Sequence, residues 1–300
     1  MRGAFFDTLE QLAATDDRIW LATGDLGFSV IERFAARFPD RYLNVGVAEQ
    51  NLTGVAAGLA LSGKIVFTYS IANFPVLRCL EQIRNDVCYH RLNVKIVAVG
   101  GGLAYGGMGY SHHAVEDLAI TRVLPHMTVL APGDPVETRW ATRMAVAHEG
   151  PVYLRLGKAG EPTIHAEELQ VPLGEAVRIR DGEGLSIFCT GGILPLAYEA
   201  SNILQASLWS LPTFVPFDAA RVLAEARRTG RILTIEEHAE GGLASLAAEA
   251  LASAEVQVKI RSLRLPREPL PLAGTQDELR RASGLSLERV IDIARELLHR

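Results

Sequence analysis

The 300-residue chain is 48% hydrophobic and 22% charged, with a formal net charge of −5. That balance supplies buried cores for about two domains and excludes a disordered chain. Mild acidity without a basic run excludes a nucleic-acid or anionic-membrane surface. Cys79, Cys88 and Cys189 show no CxxC spacing, so neither a disulfide frame nor a zinc site is expected, and reduced thiols in the cytoplasm are. The N-terminus lacks the apolar run of a secretory signal, and the apolar stretch Val94–Tyr105 is too short to span a bilayer.

The chain opens on a helix, after which short apolar runs alternate with stretches of helical periodicity. Strands are predicted at Ile19–Thr23, Tyr42–Val45, Ile65–Tyr69, Val94–Val99, Thr128–Ala131 and Val152–Leu156. Amphipathic stretches at Phe74–Tyr89 and Pro135–His148 lie between them. This rhythm predicts a parallel sheet with helices on its faces. Residues Gly157–Gly184 break it with clustered glycine, proline and charge, and read as a connection with one short edge strand at most. A second alternation follows: strand Leu185–Thr190, a Gly191–Gly192 turn, helix Leu196–Leu204, strand Arg231–Glu236, helix Leu243–Leu251 and strand Val256–Leu263. The tail Leu285–Leu298 keeps helical spacing and is expected to dock as a terminal helix. The predicted fold class is α/β in two units, 1–157 and 185–300, joined by a 158–184 linker.

Glu49 stands where an apolar strand gives way to an apolar helix. Leu52, Val55, Ala56 and Leu59 keep the spacing of a buried helical face. One reading is an acid that stabilises the helix dipole. The scarcity of neighbouring charge and the Gly46, Gly54 and Gly58 spacing favour another: a buried acid near a ligand, able to hold or share a proton. A second informative segment, Gly100–Asp117, follows the strand Val94–Val99 and lies where α/β sheets bind ligands. It holds neither GxGxxG nor GxxxxGK[ST], so a nucleotide-phosphate loop is not expected. His112 and His113 are candidates for substrate contact or proton transfer, or else cap the next helix; a shared metal is not expected.

Several motifs, taken in order, resemble the C-terminal half of the transketolase family. They are Ala22-Thr23-Gly24-Asp25-Leu26, Gly46-Val47-Ala48-Glu49-Gln50-Asn51, Glu81–Val87, Gly109-Tyr110-Ser111-His112-His113, Pro125–Asp134 and Pro151–Arg155. Glu236–Leu243 is a looser match to the family's C-terminal domain. The resemblance implies a parallel-sheet pyrimidine-binding domain over 1–157 and a smaller transketolase C-terminal-like α/β domain over 185–300. It implies thiamine diphosphate-dependent transfer of a two-carbon ketol unit from a ketose, phosphorylated or not, to an aldose. The residue matching Glu49 hydrogen-bonds the aminopyrimidine ring nitrogen, which makes Glu49 the activating acid, and Asp25 joins the cofactor-binding set. The family stacks an aromatic ring on the pyrimidine; Phe74 is the candidate and Tyr69 the fallback, with a core-packing role for Phe74 left open. His112 matches a histidine that touches substrate hydroxyl groups, and Arg155 an arginine that binds substrate phosphate. Arg2 matches a second such arginine or is a frayed terminal residue.

Two positions depart from the family pattern. Met108 stands where an acid reads the sugar, and Gly100 where a further histidine contacts phosphate. No Gly-Asp-Gly metal–diphosphate motif occurs in the sequence. The resemblance therefore implies a split enzyme: a separate N-terminal transketolase subunit would hold the diphosphate and the Mg²⁺, leaving no metal ligands here, in an α2β2 assembly. The small-residue face Gly54, Ala56, Ala57, Gly58 and Ala60 is expected to support self-association. Two rivals keep the cofactor, namely the β subunit of a 2-oxoacid dehydrogenase and the back half of a deoxyxylulose-phosphate synthase. A third is a non-catalytic regulatory subunit. The matches at His112 and Arg155 favour sugar chemistry, and the retained Glu49 opposes a degenerate role.

Overall fold

The structure, a computed structural model, describes residues 1–299. The first sheet contains β1 (Ile19–Thr23), β2 (Tyr42–Asn44), β3 (Ile65–Ile71), β4 (Val94–Val99), β5 (Thr128–Leu130) and β6 (Val152–Leu156). They run parallel in the spatial order β5-β6-β4-β3-β1-β2. Buried on both faces, β4 and β6 read as unbroken apolar runs interrupted only by Lys95 and Arg155. The remaining strands are β7 (Val177–Arg180), β8 (Ser186–Thr190), β9 (Ser207–Ser210), β10 (Thr213–Val215), β11 (Arg231–Glu236) and β12 (Lys259–Leu263). Five of these form a second sheet, ordered β12-β11-β8-β9-β7, with β7 as the antiparallel edge strand inside the connecting segment. The chain is thus α/β, with two sheets that are mainly parallel.

β10 departs from that division. It pairs antiparallel with β5 and becomes the seventh strand of the first sheet. Only Leu211 and Pro212 separate it from β9, so two residues carry the chain from one sheet to the other. The hydrophobic core follows this crossing: a cluster containing Leu52, Ala56 and Val87 runs on into Phe188, Trp209 and Phe214. On the opposite face of the first sheet, helices Arg2–Ala13 and Pro135–Ala147 bury Phe5, Phe6, Leu9 and Trp140. Among the described residues no helix is long and apolar enough to cross a membrane.

Other elements differ from the sequence expectation. Residues 74–89 do not form one amphipathic helix: a short helix Phe74–Leu77 and a turn at residues 78–79 precede a short helix Leu80–Gln82 and a π-helical segment Ile83–Cys88. Cys79 leaves helical geometry at φ −115°, which ends the first piece. Helices Ala219–Thr229 and Gln276–Ala282 were not predicted from the sequence. Both are set by end chemistry: Asp218 and Thr275 side chains accept backbone N–H groups of the first turn, and Gly230 closes the former in the left-handed region.

A buried ion pair ties the two sheets together. Arg155 Nε donates to Asp117 Oδ2 at 2.8 Å, and the two side chains are 5% and 2% exposed. Tyr153 adds its hydroxyl to the same oxygen at 2.6 Å. Arg155 Nη2 donates to the carbonyls of Ala114 and, in the second unit, Glu237, at 2.7 and 3.1 Å. The Glu237 carboxylate reaches back to accept Leu103 N–H at 2.7 Å and Arg280 Nε at 3.0 Å. Next to it His238 is held neutral, its ring pushed down to about 4 chiefly by burial. Its Nε2 faces the Ala119 N–H, which donates at 3.3 Å. Removing one member leaves a buried charge without a counter-ion, so Asp117→Ala should lower the unfolding free energy by about 3–5 kcal/mol. Urea denaturation checks this, and a loss below about 1 kcal/mol, the scale of an exposed pair, contradicts it.

The connecting segment is pinned to helix Pro135–Ala147. Asp134 caps the helix by accepting Glu137 N–H at 2.8 Å, and its second oxygen accepts the Ile164 and His165 N–H groups at 2.9 and 3.0 Å. Glu137 is fully buried below this cap, and burial pushes its carboxyl up from 4.5 to about 7. His165 is raised too, by Asp134 and Glu137 acting against its own burial. A folded-state value above the unfolded one means that the native state binds the proton more tightly. The Glu137 contribution is therefore complete below pH 4.5 and is lost as pH rises through about 7. Glu137→Gln should flatten the stability–pH curve over that interval, measured as urea midpoints; an unchanged slope would contradict the assignment.

Candidate active site

Four loops converge at the carboxyl edge of the first sheet, following β1, β3, β4 and β6, where open parallel sheets place ligands. Two more residues come from the loop after β2 and the helix it feeds. Beyond β1, Asp25 adopts φ 57°; its N–H donates to Asn44 Oδ1, and Asn44 Nδ2 donates back to Asp25 Oδ1, both at 3.0 Å. This reciprocal pair clamps the ends of β1 and β2 and sets the path into Gly46. Gly46 turns at φ 77°, a left-handed conformation that suits glycine. The chain then enters helix Glu49–Leu61 with Glu49 as its first residue.

Glu49 is 6% exposed, yet it lines an open cleft of about 470 Å³ with Val47, Ala48, Gln50, Asn51 and Arg78. Its surroundings are not free of charge, contrary to the expectation from sequence. Arg78 Nη1 donates to both Glu49 oxygens at 3.1 Å. The same guanidinium lies over Phe74, its Cζ 4.5 Å from the ring centroid. Phe74 in turn meets His112 edge-on at 5.2 Å, and His112 meets Tyr105 at 6.4 Å. Lys158 Nζ sits 5.1 Å over the Tyr105 ring. The hydroxyl of Tyr105 is pushed up by burial and held down in part by the charge of Arg2. Glu49, Arg78, Phe74, His112, Tyr105 and Lys158 thus follow one another along a single edge.

Two expected site residues lie elsewhere. Tyr69 is completely buried, with its ring stacked on Phe5 at 6.2 Å and edge-on to Phe6 at 5.0 Å. It presents no face to a ligand, because β3 turns that side chain into the core. Arg155 lies within β6, not at its end, and its Nε and Nη2 are engaged by Asp117 and two carbonyls. It borders a cleft of about 470 Å³ between the two units, as a tie between them. Lys158, two residues beyond the end of β6, is exposed and faces the loop of His112 instead. Arg78, Tyr105 and Lys158 were missed from sequence. The signals available were spacing for Arg78, four residues after Phe74, and for Lys158 its place just past a buried strand.

His113 is buried and packs edge-on against Tyr110 at 6.0 Å, so the adjacent histidines divide between core and cleft. Over Gly100, at φ 86°, a Cβ would meet the Tyr105 ring at 2.1 Å, so Tyr105 fills the space a side chain there would take. Among the described residues no group of three or more His, Cys, Asp or Glu side chains is placed to hold a metal ion.

The carboxylate and the aromatic face together fit a planar heterocycle with a protonated ring nitrogen: a buried acceptor at the edge and a ring to stack on. Comparison with known proteins identifies the family. Residues 1–160 match the model of the transketolase pyrimidine-binding domain, and residues 174–290 that of the transketolase C-terminal domain. The chain is 36% identical over 305 residues to one of the subunits of the apulose-4-phosphate transketolase of Phocaeicola vulgatus, covering 99% of this chain and 97% of that protein. It is 36% identical over 307 residues to the 6-deoxy-6-sulfo-D-fructose transketolase subunit SqwH of a Clostridium species, covering 100% and 95%. A solved structure described as a split gene transketolase, inactive beta4 tetramer, superposes with a TM-score of 0.88 at 35% identity, covering 99% of this chain and 97% of that one.

Proposed function

The chain belongs to the transketolase family, and we propose that it supplies the aminopyrimidine half of a two-chain, thiamine diphosphate-dependent transketolase. The observation that carries this reading is Glu49, a nearly buried carboxylate opening an apolar helix beside the half-buried ring of Phe74. When bound, the cofactor supplies the carbon nucleophile that takes a two-carbon ketol unit from a ketose and passes it to an aldose. Glu49 accepts the hydrogen bond of the protonated pyrimidine nitrogen and holds that proton, in surroundings whose low dielectric strengthens the bond. Phe74 positions the pyrimidine by stacking. Asp25 steadies the loop from which Glu49 emerges. His112, on the far side of Phe74, contacts the substrate hydroxyl groups.

Lys158, over the Tyr105 ring, and Arg2, whose charge is felt at the Tyr105 hydroxyl, provide cationic contacts for an anionic end of the sugar. The two named relatives act on a phosphorylated and a sulfonated sugar, and for this chain we propose a sugar phosphate or similarly charged ketose. A separate N-terminal subunit with the Gly-Asp-Gly motif holds the diphosphate and Mg²⁺, giving an α2β2 enzyme in the cytoplasm. Self-association uses helix Glu49–Leu61, where Gly54 and Gly58 face outward and a Cβ at either would meet nothing within 4 Å.

This chain alone should show no ketol transfer, and the assembled enzyme should transfer ketol units and not decarboxylate pyruvate. In that assembly Glu49→Ala should slow exchange of the cofactor's C2 proton and lower kcat by at least about 100-fold, as for loss of a group that moves a proton. Unchanged exchange would instead mark a scaffold subunit. Because Gly58 has open space within the chain, Gly58→Trp should leave the melting temperature within a few degrees while reducing the mass seen by light scattering. A wild-type monomer at all working concentrations would refute the self-association.

A further inference from the structure

Arg78 takes no part in the reaction just proposed, yet it occupies both groups that the reading reserves for the cofactor. Its Nη1 donates to the two Glu49 oxygens at 3.1 Å, and its Cζ lies 4.5 Å from the Phe74 centroid. A guanidinium is flat, carries N–H donors around its rim and stacks well on aromatic faces. A pyrimidine protonated on a ring nitrogen presents the same features: a donor at the edge and a flat face. The carboxylate and the phenyl ring cannot serve both at once.

The local structure lets this arrangement open. Gln50 Nε2 donates to the Arg78 carbonyl at 3.0 Å and holds the backbone against helix Glu49–Leu61. The side chain itself is 53% exposed, and among the described residues its guanidinium donates to Glu49 alone. Rotation about its own torsions takes it into solvent with no change in the main chain. Without a partner, the nearly buried Glu49 carboxylate is left to bear a desolvation cost uncompensated. Arg78 bears that counter-charge until another partner arrives.

Resting on the proposed role of Glu49, we propose that Arg78 is an internal stand-in for the aminopyrimidine, closing the cofactor subsite in the unliganded chain and swinging out when thiamine diphosphate enters. A site that must first open binds with an apparent affinity reduced by the open fraction. Removing the stand-in removes that reduction. Arg78→Lys keeps a charge that reaches Glu49 but loses the flat face, and should fall between wild type and a neutral variant.

The test uses this chain assembled with its diphosphate-binding partner, with thiamine diphosphate and Mg²⁺ titrated by calorimetry. Arg78→Gln should tighten the dissociation constant by about five-fold or more, a coupling of ordinary size for two competing partners, with Arg78→Lys intermediate. In a Glu49→Gln background the Arg78→Gln gain should disappear. In the wild-type complex, the Arg78 guanidinium ¹⁵N resonance should move toward that of a solvent-exposed arginine as the cofactor is added. Weaker or equal binding by Arg78→Gln, or a guanidinium resonance that the cofactor leaves in place, overturns the stand-in while leaving Glu49 its role. If Glu49→Gln itself changes neither cofactor binding nor C2-proton exchange, both readings fall.

Discussion

The Arg155–Asp117 pair fixes where everything else at the carboxyl edge sits. Arg155 projects from β6, Asp117 opens the helix that follows the glycine-rich loop, and Glu237 belongs to the second unit. Their bonds close a ring through Ala114 and Leu103, the two ends of the loop that carries His112. A loop with so many glycines has little shape of its own. Anchoring both ends on a buried charge pair limits it to a short span, with Tyr105 and His112 between the anchors. The same bonds make the second unit a support for the site, although the described contacts place no residue beyond Lys158 in the chain of groups leading from Glu49.

Around the acid the surface has the character of half an interior. Phe28, Val47, Leu77, Met108 and Tyr110 are each more than half exposed, and each lies on a loop or short helix that follows a strand of the first sheet. Exposed apolar groups gathered around one nearly buried carboxylate are costly on an isolated surface and are expected where a second chain covers them. The outward glycines of helix Glu49–Leu61 extend this face. The electrostatics follow the same logic: Glu49 has a counter-charge in Arg78, which is itself free to move.

How far the sequence could be read depended on whether the cause of a feature was local. The parallel sheet was legible because β4 and β6 are apolar on both faces, and a run of that kind needs no knowledge of its neighbours. Glu49 stood out because a helix start inside an apolar stretch is visible over ten residues. Arg78 was hidden because its approach to Glu49 depends on how a short helix crosses another 29 residues away in sequence. The ion pair of Arg155 was hidden for a related reason. An arginine near a strand end reads as exposed unless its acid is known, and Asp117 lies 38 residues earlier. β10 is three residues long, and no local pattern states which sheet will take it.

The two departures from the family pattern acquire a shared meaning in the structure. Gly100 is left without a side chain, and the Tyr105 ring lies in the space above it, with Lys158 on its face and His112 at its edge. The Tyr105 ring, with Lys158 over it, thus occupies the place where the family pattern has an imidazole. Met108, in place of the acid, is 58% exposed at the rim and offers a soft apolar contact in place of a hydroxyl acceptor. On the proposed reading, a substrate met by such a surface would be held mainly by an anionic terminus, with its hydroxyl pattern left to His112 and to the proposed partner chain.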